Sequence, residues 1–84
     1  MSADSHLIKK IQELLKPEFP DSLVDVSPSG IRDNIHVKVV SRRFDGMRDH
    51  ERQDFLWSLI DTSDLSQEQK LQISLILPLS PADL

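Results

Sequence analysis

The 84 residues carry 38% hydrophobic and 29% charged side chains, a globular rather than disordered balance that fits one small domain spanning residues 1–84. A net charge of −4 argues against a dedicated polyanion binder, and the absence of cysteine excludes disulfides, thiolate nucleophiles and thiolate metal ligands together. The N-terminal residues show no basic segment leading into an apolar run, and no stretch reaches 18 apolar residues, so a cytoplasmic protein without a membrane partner is expected.

Leu7, Ile8, Ile11, Leu14 and Leu15 recur at helical spacing and predict an amphipathic helix over residues 5–16, capped by Asp4 or Ser5 and stopped by Pro17. Residues 16–21, with two prolines, read as a turn. A strand over 23–27 follows, with Val24 and Val26 on one face. Ser27-Pro28-Ser29-Gly30 is turn chemistry, so residues 27–34 read as a hairpin loop. The return strand, 35–41, puts Ile35, Val37 and Val39 on one face and His36 and Lys38 on the other.

After the segment SRRFDG, residues 48–62 predict the main helix, with Phe55, Leu56, Leu59 and Ile60 on one side. Asp49 suits the positive end of its dipole. Residues 63–69 read as a short helical turn in which Ser66 and Gln69 have capping-box spacing. A last strand over 71–79 alternates Leu71, Ile73, Leu75, Leu77 and Leu79 with Gln72, Ser74, Ile76 and Pro78. The alternate face near Ile76 and Val40 leaves room for a self-contact. Pro78 lacks a ladder donor and belongs at an end or an edge.

A strand–helix–strand crossover places its two strands in parallel, whereas the first two strands form an antiparallel hairpin. The expected fold class is therefore α+β: a two-layer αββααβ sandwich whose three-stranded mixed sheet carries both long helices on one face.

Basic charge is concentrated. Residues 32–52 hold six of the ten Lys and Arg residues (Arg32, Lys38, Arg42, Arg43, Arg48, Arg52), while only Lys70 follows Arg52. A basic patch on an acidic body more often meets a protein than a duplex. Arg42 and Arg43 fall in the loop, and Arg48 and Arg52, spaced i, i+4, are expected to project from one face of the helix start. These four are the main candidate contact residues for a protein partner or for nucleic acid. The competing structural reading pairs them with Asp45, Asp49 and Glu51.

Trp57 falls about 200° from Phe55 at helical pitch, so it either anchors a partner or covers the sheet edge. Phe19 and Phe44 read as anchors that pin loops to the sheet. His6, His36 and His50 have no partner at ligand spacing and read as surface histidines, so no metal site is expected. With only Gly30 and Gly46, the chain has no GxxG loop to clamp nucleotides. No nucleophile arrangement emerges, and a non-enzyme is expected.

The element order, together with VVSRRFDG and an arginine six residues past the glycine, resembles the BolA family. In that family a strand ends in Val-Ser, Phe-x-Gly follows, a helix carries an Arg-His pair, and a Thr-Pro-acid element closes the last strand. Val40-Ser41, Phe44, Gly46 and Arg52 match, and Ser80-Pro81-Ala82-Asp83 is similar to the closing element. The resemblance implies a KH-like fold, a role in stress response or transcription regulation, and a monothiol glutaredoxin partner with which an iron–sulfur cluster is shared. Gln53 replaces the histidine after the helix arginine, Gln72 stands at the hallmark histidine, and the hairpin loop SPSGIRDN has neither cysteine nor histidine. An amide replaces neither thiolate nor imidazole as an iron ligand. The implied role is thus iron–sulfur or redox regulation through protein contact, with no cofactor held by this chain. The alternative is a nucleic-acid-binding transcriptional regulator that uses the basic loop and helix start.

Overall fold

The computed structural model describes residues 5–20 and 22–84; the candidate cap Asp4 lies outside them. Helix α1 spans Ser5–Leu15, and its stripe Leu7, Ile11, Leu15 is buried because an i, i+4, i+8 series returns to one face. Pro17 does more than stop this helix. Lys16–Glu18 tighten into a 3₁₀ turn, and the Phe19 amide donates to the carbonyls of Leu15 (3.2 Å) and Lys16 (3.1 Å). The chain bends there, and the Phe19 ring is buried in the core.

Strands β1 (Leu23–Pro28) and β2 (Ile35–Val40) form the antiparallel hairpin. A 3₁₀ turn, Arg42–Phe44, leads into α2 (Asp49–Asp61), followed by α3 (Gln67–Leu71), β3 (Ile73–Leu79) and a closing 3₁₀ turn, Pro81–Asp83. The sheet order is β1-β2-β3, with β3 parallel to β2. Helices α1 and α2 share one face of this sheet. Leu7, Ile11, Leu15, Val26, Val37, Leu56, Ile60 and Ile76 belong to one buried cluster, which is the expected two-layer αββααβ arrangement. Among the described residues no helix is long and apolar enough to cross a membrane.

The last strand departs from the expected alternation. Ile73 pairs with Ile35, but Leu75 pairs with His36, so Ser74 is an extra residue in β3. A one-residue bulge reverses every later side chain. Ile76 and Pro78 therefore turn inward opposite Val37 and Val39, whereas Leu75 and Leu77 face out at 45% and 40% exposure. Unbroken alternation puts Ile73, Leu75 and Leu77 on one core face, and of these three only Ile73 is buried. Ile76 is likewise unavailable for a self-contact, because it is in the core.

The segment before β3 also differs. The short helix starts at Gln67 and runs through Leu71, which is exposed, and Gln72 is its C-terminal cap rather than a strand residue. The Ser66–Gln69 capping box forms as its spacing suggests. The Gln69 amide donates to Ser66 Oγ (3.1 Å), and the Ser66 amide donates to Gln69 Oε1 (2.9 Å). Strand β3 is an edge, consistent with Pro78 lying in it. Gln53 on α2 donates from Nε2 to the Ile76 carbonyl at 2.9 Å and so covers part of that edge.

Candidate functional site

The loop between β2 and α2 is built around Phe44. Ser41 ends β2, its amide donating to the Leu79 carbonyl at 2.9 Å. Its Oγ accepts the Arg43 amide (3.1 Å), which starts the 3₁₀ turn and drives Phe44 into the core. The Phe44 ring meets Phe19 at 5.6 Å and Phe55 at 6.3 Å, and Phe19 and Phe55 are 5.9 Å apart. Both loop phenylalanines are thus anchors. Phe55, read on the core stripe of the helix, is half-buried, with the Arg43 guanidinium over its ring. Gly46 then takes φ 76°, a conformation in which only glycine is unstrained, and releases the chain into α2.

The four arginines divide into two kinds. Arg43 lies over Phe19 and Phe55, its Cζ 5.2 and 4.8 Å from the ring centres. Its Nη1 donates to the Glu18 carbonyl (2.6 Å) and stands 3.9 Å from the Glu18 carboxylate. Arg52 points inward, with Nε donating to the Met47 carbonyl (3.0 Å) and Nη1 to Asp83 Oδ2 (2.6 Å). The expectation that Arg48 and Arg52 project together fails, because Arg52 is buried on the closing turn. Arg42 and Arg48 are exposed and make no ion pair among the described residues. Arg48 uses its backbone amide to start α2, donating to Glu51 Oε1 at 2.9 Å.

Among the described residues the expected partners Asp45, Asp49 and Glu51 form no salt bridge with these arginines; Glu18 and Asp83 take that place. Asp45 instead accepts a hydrogen bond from Ser80 Oγ. The Asp83 carboxyl is held below the ordinary aspartate value by the Arg52 guanidinium and, next, by the Ser80 amide, which donates at 2.9 Å. The Ser80-Pro81-Ala82-Asp83 element is therefore a clamp between the crossover loop and α2. Trp57 is partly buried against the core cluster, closer to an edge cover than to a free anchor.

Beside Arg42 and Arg43 lies a cleft of about 600 Å³. Phe19, Pro20, Val40 and Pro81 supply its apolar lining and the two arginines its charge. The sequence marks residues 16–21 as a proline turn and Pro81 as part of the closing element, but gives no sign that Pro20 and Pro81 meet. Each sits in a proline turn, and only the fold brings the two turns together.

Gln72 lies at the other end of the sheet. Its carbonyl accepts the Ile35 amide at 2.8 Å, whereas Arg42 follows the far end of the same strand. At about 3.3 Å per residue, six strand residues separate the two places by roughly 20 Å. They cannot form one site. Gln72 Oε1 is buried and accepts no hydrogen bond among the described residues. Among the described residues no three His, Cys, Asp or Glu side chains come together in a metal-binding group. An iron–sulfur cluster does not fit the donor chemistry at Gln72 or in the hairpin loop.

No family model and no curated sequence matches the chain. Among solved structures it is similar to BolA1 from Arabidopsis thaliana, with a TM-score of 0.64 at 18% identity, over 93% of this chain and 95% of that one. The chain has a BolA-like fold.

Proposed function

We propose that the chain is a cytoplasmic, non-catalytic member of the BolA-like group that works through protein contact. Its partner is a monothiol glutaredoxin, and its process is iron–sulfur or redox regulation. The carrying observation is the division of labour between the two ends of the sheet. The ligand position itself is an amide, Gln72, and the hairpin loop holds neither imidazole nor thiolate, while the other end of the sheet presents Arg42 and a half-exposed Arg43 beside an apolar cleft. An intact frame with exposed cations favours binding, and the missing donors argue against a cluster ligand from this chain. Calorimetric titration with a cluster-free monothiol glutaredoxin tests the reading. Saturable heat supports it, and a flat titration overturns the choice of partner.

A nucleic-acid-binding regulator is the second reading, favoured by Arg42 and Arg48, which are exposed without ion pairs among the described residues. Arg52 is withdrawn from it by Asp83, and Phe19 and Phe44 are buried, so no exposed phenylalanine is left in the loop to stack a base. Oligonucleotide affinity that falls steeply with salt supports this reading. Absence of binding at low salt ends it.

A further inference from the structure

We infer that the cleft between the Phe19–Pro20 turn and the crossover loop is a peptide seat, and that its occupant is an acidic segment carrying one large apolar side chain. The inference deepens the protein-contact reading and rests on it. Exposed Pro20 and Pro81, with buried Phe19 and Val40 beside them, make the lining apolar, and about 600 Å³ is enough for one aromatic or leucine side chain with adjoining backbone. Two guanidinium groups line the same cleft, against the single carboxylate of Glu18 that meets one of them among the described residues.

The two arginines have different parts. Arg43 is fixed before any ligand arrives, by two rings beneath it and the Glu18 carbonyl at 2.6 Å, yet its side chain remains 48% exposed. A guanidinium already held in place loses little freedom on meeting a carboxylate. Arg42 is exposed and forms no ion pair among the described residues, so it is open to a second carboxylate. Charge complementarity therefore selects an acidic partner, and the apolar lining selects a side chain between the acids.

A polynucleotide fits less well. Phe19, the cleft's ring, is buried and roofed by Arg43, so it offers no face for a base. The cleft is also separated from the Gln72 end by the length of β2, so occupancy here leaves that end open.

The test is an amide-resolved NMR titration of the full chain with a blocked pentapeptide, Asp-Glu-Phe-Asp-Glu, and with its Asn/Gln counterpart. Shifts centred on Ser22, Val40 and Arg42 with the acidic peptide, and much weaker ones with the neutral peptide, are expected. Arg42→Glu should weaken the acidic peptide about tenfold or more, since it replaces attraction by repulsion. Ser22→Trp, which fills the cleft from its rim, should abolish the shifts while leaving the rest of the spectrum in place. Equal response to both peptides, shifts centred elsewhere, or tighter binding of a single-stranded oligonucleotide to the same amides would overturn the assignment. Glutaredoxin is absent from this titration, so failure of that partner leaves the cleft result standing, and failure at the cleft leaves that partner open.

Discussion

The Arg52 guanidinium and the Asp83 carboxylate meet at 2.6 Å across 31 residues of chain, joining the first turns of α2 to the turn that closes β3. Arg52 also holds the Met47 carbonyl, so one side chain fixes the loop before the helix and the segment after the last strand. Its surroundings explain why it is withdrawn from the exposed arginine group.

Arg52→Lys keeps the charge but loses the planar fork that serves both acceptors. It should lower stability by about 1–3 kcal/mol through the poorly satisfied Met47 carbonyl beneath the buried guanidinium, read from the urea midpoint. An unchanged midpoint would show that the clamp contributes nothing.

The Asp83 contact also gives a pH dependence. Its folded-state pKa lies below the ordinary value of 3.8, first because of Arg52 and then because of the Ser80 amide. A depressed carboxylate stabilises the fold above the unfolded value, and that contribution is lost as pH falls through the folded one. Asp83→Asn should therefore be less stable than the parent near neutral pH, and the two should converge in strong acid. A constant gap at every pH would contradict the electrostatic origin.

The bulge at Ser74 makes a prediction that simple alternation reverses. Ile76→Ala should cost about 2–4 kcal/mol because its side chain lies in the core, whereas Leu75→Ala should cost less than about 1 kcal/mol. Thermal unfolding of the two variants decides between the registers.

Arg43→Ala removes the guanidinium from above Phe19 and Phe55 and should cost about 0.5–1 kcal/mol, with Phe44 packing intact. Phe44→Ala, which removes the central ring, should cost about 3–5 kcal/mol, a large share of a small domain's stability. Near-ultraviolet circular dichroism should register the second change far more than the first.

The legible and illegible parts of this chain separate by the range of the interactions involved. The β2–α2 crossover was readable because it rests on local signals: a β-branched strand, a short loop carrying Phe44 and Gly46, and an acid at the start of α2; the cap at Ser41 and the left-handed turn at Gly46 came only with the fold. The Ser66–Gln69 box was readable for the same reason. Alternation assigned β3 correctly only as far as the bulge, since a period of two carries no notice of an inserted residue. The partners of Arg43 and Arg52 were hidden because Glu18 and Asp83 are 25 and 31 residues away. Nearby acids were the only candidates that spacing offered. The cleft was hidden likewise, because its two proline turns come from opposite ends of the chain.

The most direct measurement is the visible absorption spectrum of a cluster-loaded monothiol glutaredoxin, titrated with this protein while complex formation is followed by gel filtration. Contact without ligation predicts co-elution with an unchanged cluster spectrum, because Gln72 and the hairpin loop supply neither imidazole nor thiolate. A shifted spectrum in the complex would show that this chain ligates the cluster and would contradict the proposal.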